Sequence, residues 1–353
     1  DWSSDVCSSD LATPLPRQPS TWQQDFAAAI TDPAELAAVL DLPPEWAARA
    51  RRAAEVFGLR VPRSFVARIR PGEVDDPLLR QVLPLDAELE TIAGYDRDPL
   101  QESLARRAPG LLHKYRSRAL LVVTGACAMH CRYCFRREFP YEDERSDTGR
   151  WRAAIAAIGN DADIREVILS GGDPLSLGNA RLHALTQALH AATRERGGLE
   201  SLRIHTRNAI VLPSRVDAGL VDWLQNLPWR TTLVLHVNHP RELAPDALAA
   251  IAALRATGVQ LLNQTVLLAG VNDRDEVLTE LSWQLHRAGV LPYYLHLPDR
   301  VRGTAHFDVD ESRGVALIDV LARRLPGYLV PRLVREIPGE EAKFVVAAGL
   351  RRS

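Results

Sequence analysis

Six short apolar runs rich in β-branched residues, each followed by a helical pattern, constrain the fold of this chain more than any other feature. The runs cover 119–124, 166–170, 202–206, 232–237, 260–267 and 292–297. Helical patterns lie between them at 151–158, 181–194, 216–227, 245–256 and 274–288, and another at 312–325 comes after the sixth run. In the pattern over 274–288, Val277, Leu281, Leu285 and Ala288 share one face, the period of a helix laid against a core. Alternating strands and helices imply a parallel sheet with right-handed crossovers. The expected fold class is α/β, a partial (β/α)6 TIM-like barrel. Chemistry in such folds gathers at the C-terminal ends of the strands, so functional motifs are expected directly after strands.

The stretch from Trp22 to about Arg118 reads as helical and irregular. Asp32-Pro33-Ala34-Glu35 has the form of a helix start, and Pro62, Pro71, Pro77 and Pro84 break the rest of the stretch into short helices and loops. Residues 1–11 (DWSSDVCSSDL) show no periodicity or targeting pattern and are read as non-native or disordered, which removes Cys7 from the site. The expected organisation is therefore 1–11, a helical N-terminal region at 12–112, the barrel at 113–310, and a C-terminal helix and loop at 311–353.

Composition narrows the function. With 43 Lys+Arg against 45 Asp+Glu in 353 residues, the net charge is −2. Binders of nucleic acid usually carry a basic excess, so none is expected as a partner. No run approaches the roughly 20 apolar residues of a membrane span, and no basic-then-apolar leader appears, so the expected location is cytoplasmic. Only two lysines occur, Lys114 and Lys343, among 41 arginines. A lysine kept in so arginine-biased a chain points to the need for a primary amine. Three of the four cysteines, Cys127, Cys131 and Cys134, fall within eight residues. That spacing is no disulfide framework and marks a metal or redox site.

The cysteine loop, Cys127-Ala128-Met129-His130-Cys131-Arg132-Tyr133-Cys134, directly follows the first strand. Three thiolates suit a 4Fe-4S cluster with one open iron; a zinc knuckle would need a fourth ligand, His130 or a distant group. Ser170-Gly171-Gly172-Asp173-Pro174 directly follows the second strand. Its glycines admit close backbone approach and leave amides available to a ligand's carboxylate; a tight strand-to-helix turn explains the motif equally well. Near the C-terminus, Lys343 ends Arg335-Glu336-Ile337-Pro338-Gly339-Glu340-Glu341-Ala342-Lys343. A Schiff-base lysine needs a primary amine on a flexible loop; the plainer alternative is an exposed surface lysine.

The C-x3-C-x2-C loop resembles that of the radical S-adenosylmethionine superfamily. The order His113-Lys114-Tyr115-Arg116-Ser117-Arg118, CxMHCRYCFRR, GGDPLS, HVNHP, LLNQTVLL, PYYLHLPD and then the Lys343 loop resembles the lysine 2,3-aminomutases from about Trp22 to the end. The likeness is nearest to their short bacterial form, whose β-lysine is attached to translation elongation factor P. The resemblance implies a barrel of radical SAM type with a C-terminal pyridoxal-phosphate lysine loop. It implies an isomerase turning L-α-lysine into β-lysine, with a 4Fe-4S cluster on Cys127, Cys131 and Cys134 and S-adenosylmethionine on its open iron. Long members carry extra C-terminal cysteines for zinc; this chain has none, so no zinc is expected.

By the same resemblance Gly171, Gly172 and Asp173 hold the methionyl amino group, and Arg207 and Gln264 contact S-adenosylmethionine. Lys343 holds pyridoxal 5′-phosphate, cradled by Lys114, Tyr115 and Arg118, with His239 a further contact. Arg136 clamps the substrate carboxylate, as a guanidinium fork can. Asp299 and Glu336 bind the ε-ammonium. Two carboxylates without a paired base are costly in a closed site unless the ligand supplies the cation, so an acidic or uncharged distal group is expected to be rejected. Charge alone does not separate lysine from arginine. The implied partners are an external electron donor such as flavodoxin or ferredoxin, a β-lysine ligase and elongation factor P. The alternatives are the same chemistry on glutamate, arginine or another amino acid, and a zinc-stabilised binding module with Lys343 on its surface. Lys114 and Glu336 stand where longer members have Arg and Asp. Phe344-Val345-Val346 stands where members more usually have Thr-Pro, a departure that bears on loop closure.

Overall fold

A computed structural model describes residues 21–141 and 148–346; the expectations for residues 1–11 and Cys7 lie outside them. The N-terminal helices are α1 (Thr21–Ala27), α2 (Pro33–Val39), α3 (Pro44–Val56), α4 (Arg63–Val66) and α5 (Pro77–Arg80). Pro33, Pro44 and Pro77 sit in first turns, where a missing N–H costs nothing. The Asp32 carboxylate caps α2 by accepting from the Ala34 amide at 2.9 Å, as its sequence pattern predicts.

Two strands that periodicity does not reveal come next, β1 (Arg106–Ala108) and β2 (Leu111–Tyr115), followed by β3 (Arg118–Thr124). The chain then alternates: α6 (Thr148–Gly159), β4 (Glu166–Gly171), α7 (Asn179–Thr193), β5 (Ser201–Thr206), α8 (Asn208–Val211), α9 (Ala218–Gln225), β6 (Arg230–Leu235), α10 (Pro245–Ala256), β7 (Gln260–Val266), α11 (Asp275–Arg287), β8 (Leu291–His296) and α12 (Glu311–Arg324). Strands β9 (Arg332–Arg335) and β10 (Phe344–Val345) close the series.

All ten strands form one sheet in chain order. The pairs from β3 to β9 are parallel, while β1–β2, β2–β3 and β9–β10 are antiparallel. The six expected strands are present, and β9 is a seventh parallel one. The first strand is not paired to the last, so the barrel is open, as expected. The boundary expected at 112 falls inside β2. One core runs through Trp22, Phe65 and Leu78 of the N-terminal layer and Leu121, Leu169, Ile204 and Leu233 of the sheet. The N-terminal helices are thus packed against the barrel and share its core. No helix among the described residues is long and apolar enough to cross a membrane.

Burial alternates along β5, where Leu202, Ile204 and Thr206 are buried outward and Arg203 and His205 are half-buried on the other face. Period-two alternation puts Gln264 of β7, and Tyr294 and His296 of β8, on the corresponding inner face. A closed barrel fills its axis with branched apolar side chains; here the inner face is polar and lines a cavity.

Candidate functional site

The cysteine loop leaves the C-terminal end of β3 and is clamped from the N-terminal side. The His130 amide donates to the Arg60 carbonyl and the Arg132 amide to the Gln81 carbonyl, both at 2.9 Å. His130, the candidate fourth zinc ligand, stacks on Phe57 at 5.2 Å, and its Nδ1 lies 2.7 Å from the Gly58 carbonyl. Arg132 forms two bonds to Glu88, at 2.9 and 2.5 Å, and Arg137 adds a third at 2.7 Å. All three side chains are almost wholly buried. Two guanidiniums share one carboxylate, leaving a surplus positive charge beside the thiols.

Cys127, Cys131 and Cys134 are free thiols. Burial pushes the Cys127 thiol well up, and Asp173 and the other two cysteines add to the rise. Burial and Cys131 push Cys134 up to about 11. Mutual repulsion among buried thiolates is relieved by a bound cationic centre, which deprotonates its ligating thiols; the donor set therefore fits a cluster. Among the described residues no three His, Cys, Asp or Glu side chains gather around a single-ion position. A cubane gives each thiolate its own iron, so convergence on one point is not required of this loop.

The glycine motif lies at the C-terminal end of β4, whose last two residues are its Ser170 and Gly171, and its glycines serve the protein. A Cβ on Gly171 would lie 2.3 Å from the Thr124 carbonyl oxygen, and one on Gly172 2.4 Å from that of Ala126. Gly172 donates its amide to Thr124 at 2.7 Å, and Asp173 donates its own to Ala126 at 2.8 Å. Those two amides are therefore not available to a ligand, contrary to the sequence expectation. The Asp173 carboxylate is likewise occupied, accepting from the amides of Leu175 (2.9 Å), Arg207 (2.7 Å) and Asn208 (2.9 Å) and from the Thr206 hydroxyl at 2.9 Å. These bonds tie the β4 loop to the end of β5. Arg207 faces the cysteine loop, with Nη1 at 2.8 Å from Cys131 Sγ. Its buried Nε has no partner, one donor left for a ligand. Gln264 Nε2 lies 2.8 Å from His236 Nε2 on the cavity wall.

The lysine end is assembled from segments far apart in sequence. Strand β2 supplies Lys114 and Tyr115; Arg118 opens β3 and lies 4.1 Å over the Tyr115 ring. Glu336 follows β9 and Lys343 precedes β10, so the antiparallel pairing of Phe344 with Arg335 and Val345 with Val334 brings them together. Glu336 accepts from Lys343 Nζ, from Lys114 Nζ at 3.4 Å and from the Tyr115 hydroxyl at 3.1 Å. Burial alone would raise the Glu336 carboxyl, but the Lys343 ammonium, then Lys114 and Tyr115, hold it down at about 2. The motif therefore does contain a base for Glu336, where the sequence suggested none. Asp299, after β8, forms no ion pair among the described residues. Burial and the neighbouring Glu336 push it up to about 7, against the pull of Lys343.

Two further candidate residues are held by partners within the protein. Arg136 is not a free fork: Glu102 takes Nε at 2.8 Å and Nη2 at 2.7 Å, and Ser170 Oγ takes Nη1 at 3.0 Å. Glu102 lies ahead of β1 in a 3-10 turn held by Asp98, and only folding brings it within reach. His239 does not join the lysine group. It caps a short turn, with Nδ1 accepting from the Arg241 amide at 3.1 Å, and burial lowers it to about 4 beside Glu242, Arg241 and Asp76.

Three other histidines, His205, His236 and His296, are half-buried on this inner side and escaped the sequence reading; for His205 and His296 inward parity along β5 and β8 was the available signal. Burial holds all three well below the ordinary imidazole range, so they are neutral. His205 feels both the Lys343 ammonium and the Arg136 guanidinium, and Arg136 in turn acts on Cys127 and Cys134. The charges of the lysine loop and of Arg136, which acts on the cysteines, thus both reach His205 on the inner face. Nε2 of His205 and of His296 is buried without a partner, the mark of a polar wall that awaits a ligand.

Comparison with known proteins shows which family the chain resembles. Residues 121–281 match the Radical SAM superfamily. An L-lysine 2,3-aminomutase of Escherichia coli is 43% identical over 94% of this chain and 95% of its own length. That of Haemophilus influenzae is 40% identical over 95% and 98%, and that of Clostridium subterminale 37% identical over 80% and 67%. A radical SAM methyltransferase structure from Sphaerobacter thermophilus shares 17% identity at a TM-score of 0.44, covering 64% of this chain and 68% of that one.

Proposed function

The chain belongs to the L-lysine 2,3-aminomutase family of radical SAM enzymes, and from that membership and the cavity just described we propose that it moves the amino group of L-lysine from C2 to C3, giving β-lysine. The observation that supports this reading is that His205 on the inner face feels the charges of both Lys343 and Arg136, and Arg136 those of Cys127 and Cys134, as expected if the amine and the thiols serve one site.

Cys127, Cys131 and Cys134 would each bind one iron of a 4Fe-4S cluster, and the spare Nε of Arg207 together with Gln264 would contact S-adenosylmethionine. Lys343 would carry pyridoxal phosphate, with Lys114, Tyr115 and Arg118 around its phosphate. When bound, these groups supply a 5′-deoxyadenosyl radical that takes hydrogen from C3 and a conjugated ring that carries the migrating nitrogen. The protein binds, orients and excludes water. Gly171, Gly172 and Asp173 hold the β4 loop against the cysteine loop, a supporting role in place of direct contact.

Asp299 takes the ε-ammonium of lysine, since it is a buried carboxylate beside Glu336 and Lys343 that forms no ion pair among the described residues. Glu336 forms the wall beside it and holds Lys343 and Lys114 in place. Glu102 adds a third carboxylate near Asp299, so a dicarboxylic amino acid such as glutamate meets like charge at its distal end. Arg136 remains the candidate for the substrate carboxylate, which must share the guanidinium with Glu102. Neutral His205, His236 and His296 add hydrogen-bonding capacity to the cavity without another charge.

The finer assignment, supply of β-lysine for attachment to elongation factor P with an electron donor such as flavodoxin or ferredoxin, rests on the resemblance to the short bacterial form. The deciding experiment is anaerobic incubation of the reconstituted protein with S-adenosylmethionine, pyridoxal phosphate, dithionite and lysine, arginine or glutamate, followed by chiral separation of products. β-Lysine from lysine alone is expected; a β-amino acid only from another substrate would overturn the assignment.

A further inference from the structure

Beneath the cysteine loop lies a buried polar knot that ligand binding does not explain. Arg207 donates from Nη1 to Cys131 Sγ at 2.8 Å and to the Tyr133 hydroxyl. From Nη2 it donates to Gln81 Oε1 at 2.7 Å and Glu242 Oε2 at 3.0 Å. Gln81 and Glu242 are fully buried. The second oxygen of Glu242 accepts from Gln81 Nε2 and from the amides of Asn238 and His239, each at 3.1 Å. Asn238 Nδ2 closes the knot by donating to the Tyr133 hydroxyl at 2.6 Å and to Gln81 at 3.0 Å. A guanidinium held by this many partners cannot swing away from the sulfur without leaving buried groups unpaired.

We propose that Arg207 and Glu242 are a tuning pair for the cluster corner held by Cys131: Arg207 positions the thiolate and donates to it, while Glu242 offsets the cation's charge. The proposal rests on the reading that the three cysteines hold a 4Fe-4S cluster. Hydrogen bonds to cluster sulfurs and nearby positive charge stabilise the reduced, more negative cluster and raise its potential. In a low-dielectric interior a carboxylate in contact with the guanidinium cancels much of that field. The thiolate thus keeps a directional donor while the cluster stays reducing enough for sulfonium cleavage. One electron enters from the external donor and passes to the sulfonium, and no bond of the chain forms or breaks.

The test is potentiometric EPR of the anaerobically reconstituted enzyme without S-adenosylmethionine, with iron and sulfide counted, in wild type, Arg207→Met and Glu242→Gln. The midpoint is expected to fall in Arg207→Met, which loses donor and charge, and to rise in Glu242→Gln, which exposes the cation. Arg207→Lys, keeping charge without the fork, should fall less than Arg207→Met and serves if the Met variant does not fold. Equal midpoints at full iron content, or shifts of one sign in both variants as general loosening would give, would overturn the pair's role. A wild type that binds no iron or sulfide would instead remove the cluster reading on which it rests.

Discussion

The two ends of the cavity handle charge in opposite ways. At the cysteine end every buried charge has a partner within the protein: Arg132 and Arg137 share Glu88, and Arg207 pairs with Glu242. The loop is held there by the N-terminal layer, through Phe57, Gly58, Arg60 and Gln81. At the lysine end Glu336 is matched by Lys343 and Lys114, but Asp299 has no ion-pair partner among the described residues. A redox centre needs its surroundings fixed before it is loaded, whereas a site selecting a cationic substrate gains by leaving one carboxylate for the substrate to neutralise. Changes at the first end should therefore appear in stability and cluster content, and changes at the second in kinetics.

The sharpest test of that contrast is Lys343→Ala. Turnover of lysine should vanish and bound pyridoxal phosphate should no longer be trapped by borohydride, while iron content and thermal midpoint stay at wild-type values. Loss of the cluster in this variant would dissolve the distinction between the two ends.

Glu88→Ala should do the reverse. It leaves two buried guanidiniums facing each other, and breaking a buried ion pair by removing one partner costs about 3–5 kcal/mol. Denaturant unfolding should show a loss of that order, together with poor cluster retention. An effect below about 1 kcal/mol would mean that the clamp on the cysteine loop lies elsewhere.

Asp299→Asn should lower kcat/KM for lysine roughly a hundredfold, within the 2–5 kcal/mol range of a desolvated charge pair, with stability unchanged or improved. The same group sets a pH dependence. Its carboxyl is pushed up to about 7, and only the ionised form pairs with an ammonium. Lysine KM should therefore fall as pH rises through 7, by about tenfold between pH 6 and 8, and Asp299→Asn should flatten that profile. A wild-type KM that is flat over this window would show that Asp299 is not the acceptor.

The smallest expected effect comes from the hairpin that carries Lys343. Replacing Phe344 with Thr and Val345 with Pro removes the Val345 amide from a strand where proline cannot donate. Pyridoxal phosphate affinity should change by about threefold, near the 0.5 kcal/mol scale of surface changes. A tenfold or larger change would make β10 a determinant of loop position.

The six parallel strands and their helices were legible because apolar period and β-branched runs are local properties of a chain. The cysteine loop was legible for the same reason, its three ligands being adjacent in sequence. Lys343 stood out through scarcity alone. Strands β1, β2, β9 and β10 were not legible: all are short, the first three carry charged residues, and they exist because a neighbouring strand edge needed partners.

What the sequence determined by itself, then, was the alternation of the barrel and the identity of the thiols and the amine. Only tertiary structure decided how their surroundings are connected. It gave the fork of Arg136 to Glu102, turned Asp173 toward Thr206 and the amides of Leu175, Arg207 and Asn208, placed His236 instead of His239 on the cavity wall, and set Arg207 against Cys131. Each of those outcomes depends on which buried donor meets which buried acceptor. The pairing energy belongs to groups brought together from remote parts of the chain, and no local pattern in the sequence records it.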